Sequence, residues 1–129
     1  MTSAEALRFV LDLLDGTRHP RPPGREANLI RVERLLARLG HPERDLATVL
    51  VAGTKGKGST AAMLAAVEEA AGRRVGLYTK PHLVEYRERI RVGGRPIDED
   101  ELAALVAQGR LAVEAGAGGP EGTPTYFEV

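Results

Sequence analysis

The stretch VLVAGTKGKGST, residues 49–60, places three glycines and two lysines directly after an apolar run. The run TVLVA, residues 48–52, is typical of a short strand that is buried on both faces of a parallel sheet. The segment TAAMLAAVEEAAG, residues 60–72, is rich in alanine and predicts a helix that stops at Gly72. The stretch therefore predicts a strand, a glycine turn and a helix N-terminus in succession.

A glycine turn at a helix N-terminus is suited to holding a phosphate group. Free backbone N–H groups and the helix dipole point at one place, and glycines let an anion approach closely. Lysine adds a mobile positive charge, and a hydroxyl can reach a magnesium ion. The order differs from the standard nucleotide loop, because Gly58 follows Lys57 and the hydroxyls come at Ser59 and Thr60. The alternative is a turn with two solvated lysines, but the flanking strand and helix favour phosphate binding.

The surrounding pattern predicts an α/β fold, a P-loop-type parallel sheet with flanking helices. The segment RVGLY, residues 74–78, is a second short apolar strand, which completes a right-handed βαβ unit. The segment IRVGGRPI, residues 90–97, predicts a hairpin that turns at Gly93 and Gly94.

Three further helices are predicted outside this unit. Thr2 and Glu5 form a capping-box pattern before a helix that ends at Gly16, and a proline-rich loop covers residues 16–26. A second helix stops at Gly40, and Asp98 with Glu101 opens a helix that runs to about Ala115, followed by a glycine-rich linker. The apolar residues expected on the buried faces of the first two helices are Leu7, Val10, Leu11 and Leu14, and Leu29, Val32, Leu35, Leu36 and Leu39.

Composition excludes several classes of protein. Lys and Arg total 18, as do Asp and Glu, so the net charge gives no support for a nucleic-acid or membrane surface. Cysteine is absent, which excludes disulfides and thiolate metal sites and agrees with a reducing cytoplasm. No apolar run approaches the length of a membrane span, and no signal peptide is evident. We therefore expect a cytoplasmic protein with no nucleic-acid or membrane partner.

Three motifs together resemble one enzyme family. VAGTKGKGST (residues 51–60), GRRVGLYTKPHLVEYRERIRVGGRPI (72–97) and PTYFEV (124–129) are similar to the N-terminal ATPase part of folylpolyglutamate synthase/dihydrofolate synthase. That family belongs to the Mur-ligase-like ATP-dependent amide-bond ligases. The resemblance runs from about Leu29 to Val129. The whole chain is predicted to be the N-terminal part of an ATP-binding domain, with a helical region over 1–46, a βαβ unit with the P-loop over 47–92, and a hairpin, helix and linker over 93–129.

The resemblance implies a reaction and a set of ligands. A carboxylate of folate or dihydropteroate attacks ATP to form an acyl phosphate, and the amine of L-glutamate then displaces phosphate to form an amide. ATP and Mg²⁺ would be the cofactors, and the complete enzyme would act as a monomer. The family continues into an acidic magnesium ligand, a histidine ligand and a C-terminal domain. The chain is therefore expected to be an N-terminal fragment without ligase activity of its own.

The resemblance also implies roles for individual residues. Lys57 would be the main catalytic cation, and Ser59 would be a weak metal ligand. The residues expected to contact ATP are Gly53, Thr54, Lys55, Gly56, Lys57, Gly58, Ser59 and Thr60. The residues expected to border the folate or pteroate pocket are Glu26, Ala27, Asn28, Leu29, His82, Thr125, Tyr126 and Phe127.

Simpler interpretations stay open for some of these residues. His82 is interpreted first as a hydrogen-bonded structural histidine, and Tyr126 and Phe127 suit helix packing equally well. The run from Arg87 to Arg89 is interpreted as a solvated face.

Two positions depart from the family pattern. Lys55 replaces the asparagine of many bacterial members. Lys80 replaces the serine that helps to bind magnesium, and an ammonium has no lone pair for a metal. This second departure puts the metal site in doubt.

Three other functions compete with the folate ligase. The chain has the pattern of a non-catalytic nucleotide-binding module, or of a related Mur ligase that acts on cell-wall precursors. A small P-loop kinase is disfavoured, because no acidic metal ligand follows a predicted strand.

Overall fold

The computed structural model describes residues 1–13, 25–116, 122–125 and 128–129. The chain divides into two compact units, one formed by residues 1–46 with 103–129 and the other by residues 47–102. The helices are α1 (Ser3–Asp12), α2 (Arg25–Arg38), α3 (Lys57–Ala70) and α4 (Glu99–Ala115), and the strands are β1 (Gly76–Tyr78), β2 (Ile90–Val92) and β3 (Arg95–Pro96). Single 3-10 turns occupy Pro42–Asp45 and Tyr86–Arg89.

The predicted helix ends in the first unit are confirmed where the structure describes them. The Thr2 amide donates to Glu5 Oε2 at 2.7 Å, and the Glu5 amide donates to Thr2 Oγ1 at 3.2 Å, so the capping box is complete. Helix α2 stops before Gly40, whose φ is +78°, and the His41 amide closes the last turn on the carbonyl of Leu36 at 2.8 Å. The expected stop at Gly16, most of the proline-rich loop and much of the linker after α4 lie outside the described residues.

The buried faces of α1 and α2 match the predicted ones only in part, since Val10 and Leu35 are buried as predicted. On α1 the buried residues follow the helical spacing of Ala6, Val10 and Leu13, whereas Leu11 is 44% exposed. On α2 the buried positions are Arg31 and Leu35, whereas Leu29 is 58% exposed. The prediction considered only large apolar residues. It therefore did not include the buried alanine of α1 or the buried, ion-paired arginine of α2. Leu35 forms the core of this unit with Ala112, Val113 and Phe9.

The second unit contains α3 and a three-stranded sheet with the order β1-β2-β3. Strand β1 pairs antiparallel with β2, with Leu77 opposite Arg91, and α3 packs against β1. Strands β2 and β3 form the predicted hairpin, and α3 ends just before Gly72, as expected. Helix α4 opens with the Asp98 amide donating to Glu101 Oε2 at 3.3 Å, and it ends at Ala115.

The predicted parallel strand over residues 48–52 is not formed, although the α/β class is confirmed in an incomplete form. Residues 48–52 belong to no strand, and the sheet in the described part of the chain is antiparallel. Val49 is 73% exposed and Leu50 is 92% exposed. A strand requires a hydrogen-bonded neighbour, and β1 pairs only with β2 within the described residues. The apolar run predicted a buried strand, but it carried no information about the neighbour that would bury it.

The hairpin turn gives a test of this sheet. Gly93 and Gly94 have φ values of +58° and +76°, a conformation that costs other residues roughly 1–2 kcal/mol. We expect Gly93→Ala to lower the free energy of unfolding by about 1 kcal/mol, as measured by urea titration. Gly76→Ala is the control, because Gly76 lies in β1 at a negative φ with open space around its Cα. Equal effects of the two substitutions would contradict the described turn.

Candidate functional site

The glycine loop leads directly into the N-terminus of α3, as the sequence predicts. Gly56 caps the helix with a φ of +75°, and the first intrahelical bond runs from the Thr60 amide to the Gly56 carbonyl at 2.9 Å. The amides of residues 57–59 therefore precede the hydrogen-bonded ladder of the helix. The helix starts three residues earlier than the predicted Thr60, which brings Lys57 and Ser59 into its first turn. This arrangement provides converging N–H donors at the positive end of a helix dipole.

The side chain of Lys57 folds back over the glycine loop. Its ammonium donates to the carbonyl of Gly53 at 2.6 Å and to that of Thr54 at 3.2 Å. Residues 52–60 are all exposed, so an anion can reach both the ammonium and the helix N-terminus from solvent. The Lys55 side chain has no hydrogen bond or ion pair with the described residues. Lys57 is therefore held against the loop, whereas Lys55 is not.

The turn after β1 is tied together by the run that sequence analysis interpreted as a solvated face. That interpretation is wrong, because the carboxylate of Glu88 accepts three successive backbone N–H bonds, from Leu83 at 2.9 Å, Val84 at 3.0 Å and Glu85 at 2.8 Å. These backbone bonds, above all those from Leu83 and Glu85, lower the pKa of the Glu88 carboxyl below its ordinary value. Glu88 thus organises the loop that begins with Lys80 and His82.

The two arginines of the run make different contacts. Arg87 donates to the carbonyl of Ile97 at 3.1 Å and to Glu85 at 2.6 Å. Arg89 donates from Nε to His82 Nδ1 at 2.9 Å, and its guanidinium lies 4.9 Å from the ring centre of Tyr86. His82 is half-buried and its ring lies 5.9 Å from that of Tyr86. These contacts agree with the interpretation of His82 as a hydrogen-bonded structural histidine.

In the first unit, a buried ion pair connects the two predicted substrate segments. Arg31 is 2% exposed and donates from Nε to Glu128 Oε2 at 3.0 Å and from Nη2 to Glu128 Oε1 at 3.1 Å. Arg31 also donates to Asn28, and Glu128 accepts from the Thr125 amide at 2.8 Å. Burial raises the pKa of Glu128, but the bonds from Arg31 and Thr125 outweigh this effect and leave the pKa below its ordinary value.

The chain is similar to known proteins in both sequence and fold. The chain matches no protein-family model. It is 44% identical over 106 residues to a dihydrofolate synthase/folylpolyglutamate synthase of Bacillus subtilis, covering 82% of this chain and 25% of the relative. Its fold matches a solved complex of FPGS with AMPPCP and folate at a TM-score of 0.83 and 32% identity, covering 99% of this chain and 30% of that one. It also matches Escherichia coli FolC in complex with DHPP and ADP at a TM-score of 0.77 and 35% identity, covering 99% and 28%.

The chain is a homologue of the folylpolyglutamate and dihydrofolate synthases. It spans about a quarter of the length of the curated relatives that it matches. The match in sequence and fold agrees with the resemblance drawn from the glycine loop, the T-K-P-H-L turn and the T-Y-F-E motif.

The predicted site residues of this folylpolyglutamate synthase homologue are divided between the two units. The glycine loop and His82 belong to the second unit, and the segments around Asn28 and Thr125 belong to the first. Glu26 and Leu29 are exposed, Ala27 is half-buried, and Tyr126 and Phe127 lie outside the described residues.

The side chains that the structure describes do not provide a set of ligands for magnesium. No group of three or more His, Cys, Asp or Glu side chains is arranged for a metal ion in the described ranges. Ser59 offers one hydroxyl, and the exposed Lys80 at the family's serine position offers a cation. We therefore assign no step to a metal. The phosphates of a nucleotide, by contrast, fit the amides of residues 57–59 and the Lys57 ammonium.

Sequence reasoning missed Arg31, Glu128 and the role of Glu88. Glu128 belongs to the quoted T-Y-F-E motif, so it was available as a signal, and Arg31 lies three residues after Asn28, one helical turn along α2. Nothing in the sequence alone identified the partner of either residue.

Over the described residues, no helix has the length and apolar character needed to cross a bilayer.

The loop held by Glu88 gives a second test. We expect Glu88→Gln to speed hydrogen exchange at the amides of Leu83, Val84 and Glu85, because the variant loses the charged acceptor that binds all three. Glu114→Gln, in the exposed Arg110–Glu114 pair, should leave these rates unchanged. Unaltered exchange in Glu88→Gln would contradict the described clamp.

The same clamp has a defined pH dependence. Because folding lowers the pKa of Glu88 below its ordinary 4.5, the stabilisation is complete above pH 4.5 and is lost as the pH falls through the lower value. The amide shifts of residues 83–85, followed by NMR during acidification, should therefore move at a pH below 4.5. They should not move there in Glu88→Gln.

Proposed function

We propose that the chain forms the phosphate-binding part of an ATP-dependent ligase that joins L-glutamate to a carboxylate of folate or dihydropteroate. The observation that supports this most directly is the glycine loop at the N-terminus of α3, with Lys57 bonded across it. The names of the relatives and solved structures described above mention this activity or these ligands.

In the proposed reaction, a carboxylate oxygen of the pteroyl substrate attacks the γ-phosphorus of ATP. The bond from that phosphorus to the β,γ-bridging oxygen breaks, and ADP leaves with the bond electrons. The amine of L-glutamate then attacks the acyl carbon, phosphate leaves, and the nitrogen loses a proton to give the amide. Both steps depend on positioning and on neutralisation of phosphate charge.

The glycine loop supplies that neutralisation. The amides of residues 57–59 donate to phosphate oxygens, and Lys57 adds a charge-assisted hydrogen bond. Ser59 and Thr60 lie in the first turn of α3 with exposed hydroxyls that can donate to the same oxygens. Lys55 lies at the mouth of the loop and adds a more distant positive charge.

The alternative is a chain that binds a nucleotide without turning it over. Two observations favour it for these 129 residues taken alone. The described residues contain no acidic cluster for a metal, and the glycine loop is exposed throughout. A related Mur ligase remains the nearest enzymatic alternative, and the names of the matched relatives favour the folate branch.

The loop lysines give the sharpest test of phosphate binding. We expect Lys57→Ala to weaken binding of ATP, ADP and pyrophosphate by about tenfold, as expected for loss of a charge-assisted hydrogen bond. Lys55→Ala should have a smaller effect, because Lys55 is not held against the loop. Isothermal titration calorimetry measures the affinity of each variant for all three ligands.

A matched control substitution removes one positive charge from another part of the second unit. Arg95 lies in β3, outside the loop, so Arg95→Ala should change affinity by no more than about twofold. Equal losses for Lys55→Ala, Lys57→Ala and Arg95→Ala would mean that the loop acts only as a diffuse positive patch.

We expect no ligase turnover from the 129-residue chain by itself. It spans about a quarter of its relatives, and the described residues form no metal site. A dry, closed site is needed to protect an acyl phosphate from water. Incorporation of labelled glutamate into dihydropteroate or tetrahydrofolate with ATP present provides the assay. Sustained turnover by the purified chain would overturn this expectation.

A further inference from the structure

The apolar run that precedes the glycine loop lies open to solvent. Residues 46–50 are all exposed, and Leu46, Val49 and Leu50 are large apolar side chains with exposures of 63%, 73% and 92%. Single exposed apolar residues are common, but a contiguous exposed group marks a surface that another molecule covers. We refer to residues 46–52 as the apolar segment.

The backbone of the apolar segment is also available for pairing. Leu46 has extended φ and ψ angles of −105° and 126°, and none of residues 47–52 has a positive φ. In the described part of the chain, no hydrogen bond reaches the backbone of residues 47–52. The segment is rich in β-branched residues, which favour strands, and a strand with open N–H and C=O groups is a template for another strand.

The charges on either side of the apolar segment favour a second copy of the chain as that other strand. Residues 46–54 carry no charge, whereas an exposed Asp45 precedes them and an exposed Lys55 follows them. Two copies can pair antiparallel with Leu50 opposite Leu50. Counting outward along the strands then places Asp45 of each copy opposite Lys55 of the other, so an opposite-charge pair closes both ends.

Other arrangements of the same two segments lose this complementarity. A parallel pair in register places Asp45 opposite Asp45 and Lys55 opposite Lys55, which is destabilising. A shift of the antiparallel register by one residue places Asp45 opposite Thr54 or Gly56, so no ion pair forms. The arrangement centred on Leu50 is isologous, because the same surface of each copy contacts the other.

We propose that the apolar segment is a self-association surface, and that two copies of this chain pair through it as antiparallel strands with Leu50 opposite Leu50. The inference goes beyond the proposed function and does not depend on it, because it uses no property of a nucleotide or a folate. One strand pair is a small interface compared with the roughly 800 Å² per partner that stable complexes bury. We therefore expect a weak dimer that forms as the protein is concentrated.

Sedimentation equilibrium of the purified chain tests the association. The average mass should rise from monomer to dimer with concentration, whereas Leu50→Lys should stay monomeric, because it places two ammonium groups opposite each other at the centre of the pair. Met63→Lys is the matched control, since Met63 is an exposed apolar residue of α3 outside the segment, and it should dimerise as the unmodified chain does. Both positions are exposed, so thermal unfolding of the two variants should be unchanged.

A double-mutant cycle tests the charge pair. Asp45→Lys should weaken the dimer by about tenfold, because it replaces two attractive contacts with two repulsive ones, and Lys55→Asp should do the same. Combining the two substitutions exchanges the charges, so the double variant should dimerise within about threefold of the unmodified chain. Glu33→Lys makes the same charge change at an exposed position of α2 and should have no effect.

Single cysteines test the register, because the chain contains none of its own. Leu50→Cys places two thiols directly opposite each other, with Cα atoms about 4.5–5.5 Å apart, which a disulfide can span. Val49→Cys places them on a diagonal about 7–8 Å apart, which is too far. Under mild oxidation we expect Leu50→Cys to give a disulfide-linked dimer and Val49→Cys to give little or none.

Several results would overturn the inference. One is a chain that stays monomeric up to about 1 mM, which leaves the apolar segment to a partner other than a second copy. Others are dimerisation of Leu50→Lys at the affinity of the unmodified chain, a double variant no tighter than Asp45→Lys alone, or faster cross-linking of Val49→Cys than of Leu50→Cys. Growth of the mass beyond a dimer would contradict the isologous pair.

Discussion

The position at which α3 begins determines which backbone amides of the second unit are free to bind an anion. Gly56 adopts a left-handed conformation, so the chain turns sharply from the loop into the helix and the amides of residues 57–59 point out of its N-terminus. A residue with a Cβ would resist that conformation, and a later start would return Lys57 to the loop. The same turn brings the Gly53 and Thr54 carbonyls within reach of the Lys57 ammonium. The phosphate loop therefore depends on backbone geometry first and on its lysine second.

Several charged residues in the described part of the chain hold backbone groups in place. Glu88 binds three successive amides, Arg87 binds a carbonyl, and Glu128 binds both a buried arginine and an amide. In each case a charged side chain forms a hydrogen bond with a backbone group that has no partner in the short sheet. Of the eight residues that the family resemblance links to substrate, His82 contacts Arg89 and the Thr125 amide contacts Glu128. Glu88 thus fixes the backbone at residues 83–85, and Glu128 fixes it at Thr125.

Local signals in the sequence predicted local structure well. The capping box at Thr2, the stop at Gly40, the turn at Gly93 and the helix after the glycine loop all follow from the chemistry of a few adjacent residues. The parallel strand over residues 48–52 failed because strand formation depends on a neighbour that the local pattern does not specify. The roles of Arg31 and Glu88 were missed for a related reason. Charged residues were assigned to solvent by default, and the carboxylate that pairs with Arg31 lies almost a hundred positions away.

The contact between Lys57 and the loop carbonyls has a consequence for selectivity. An ammonium has three N–H donors arranged tetrahedrally, and in this structure two of them are already directed at Gly53 and Thr54. The third is then fixed in direction, so the lysine behaves as an oriented donor and not as a freely rotating point charge. An acceptor atom that lies along that direction is favoured over one that approaches from elsewhere. A residue usually regarded as an adaptable counter-ion thereby acquires the angular discrimination normally associated with arginine.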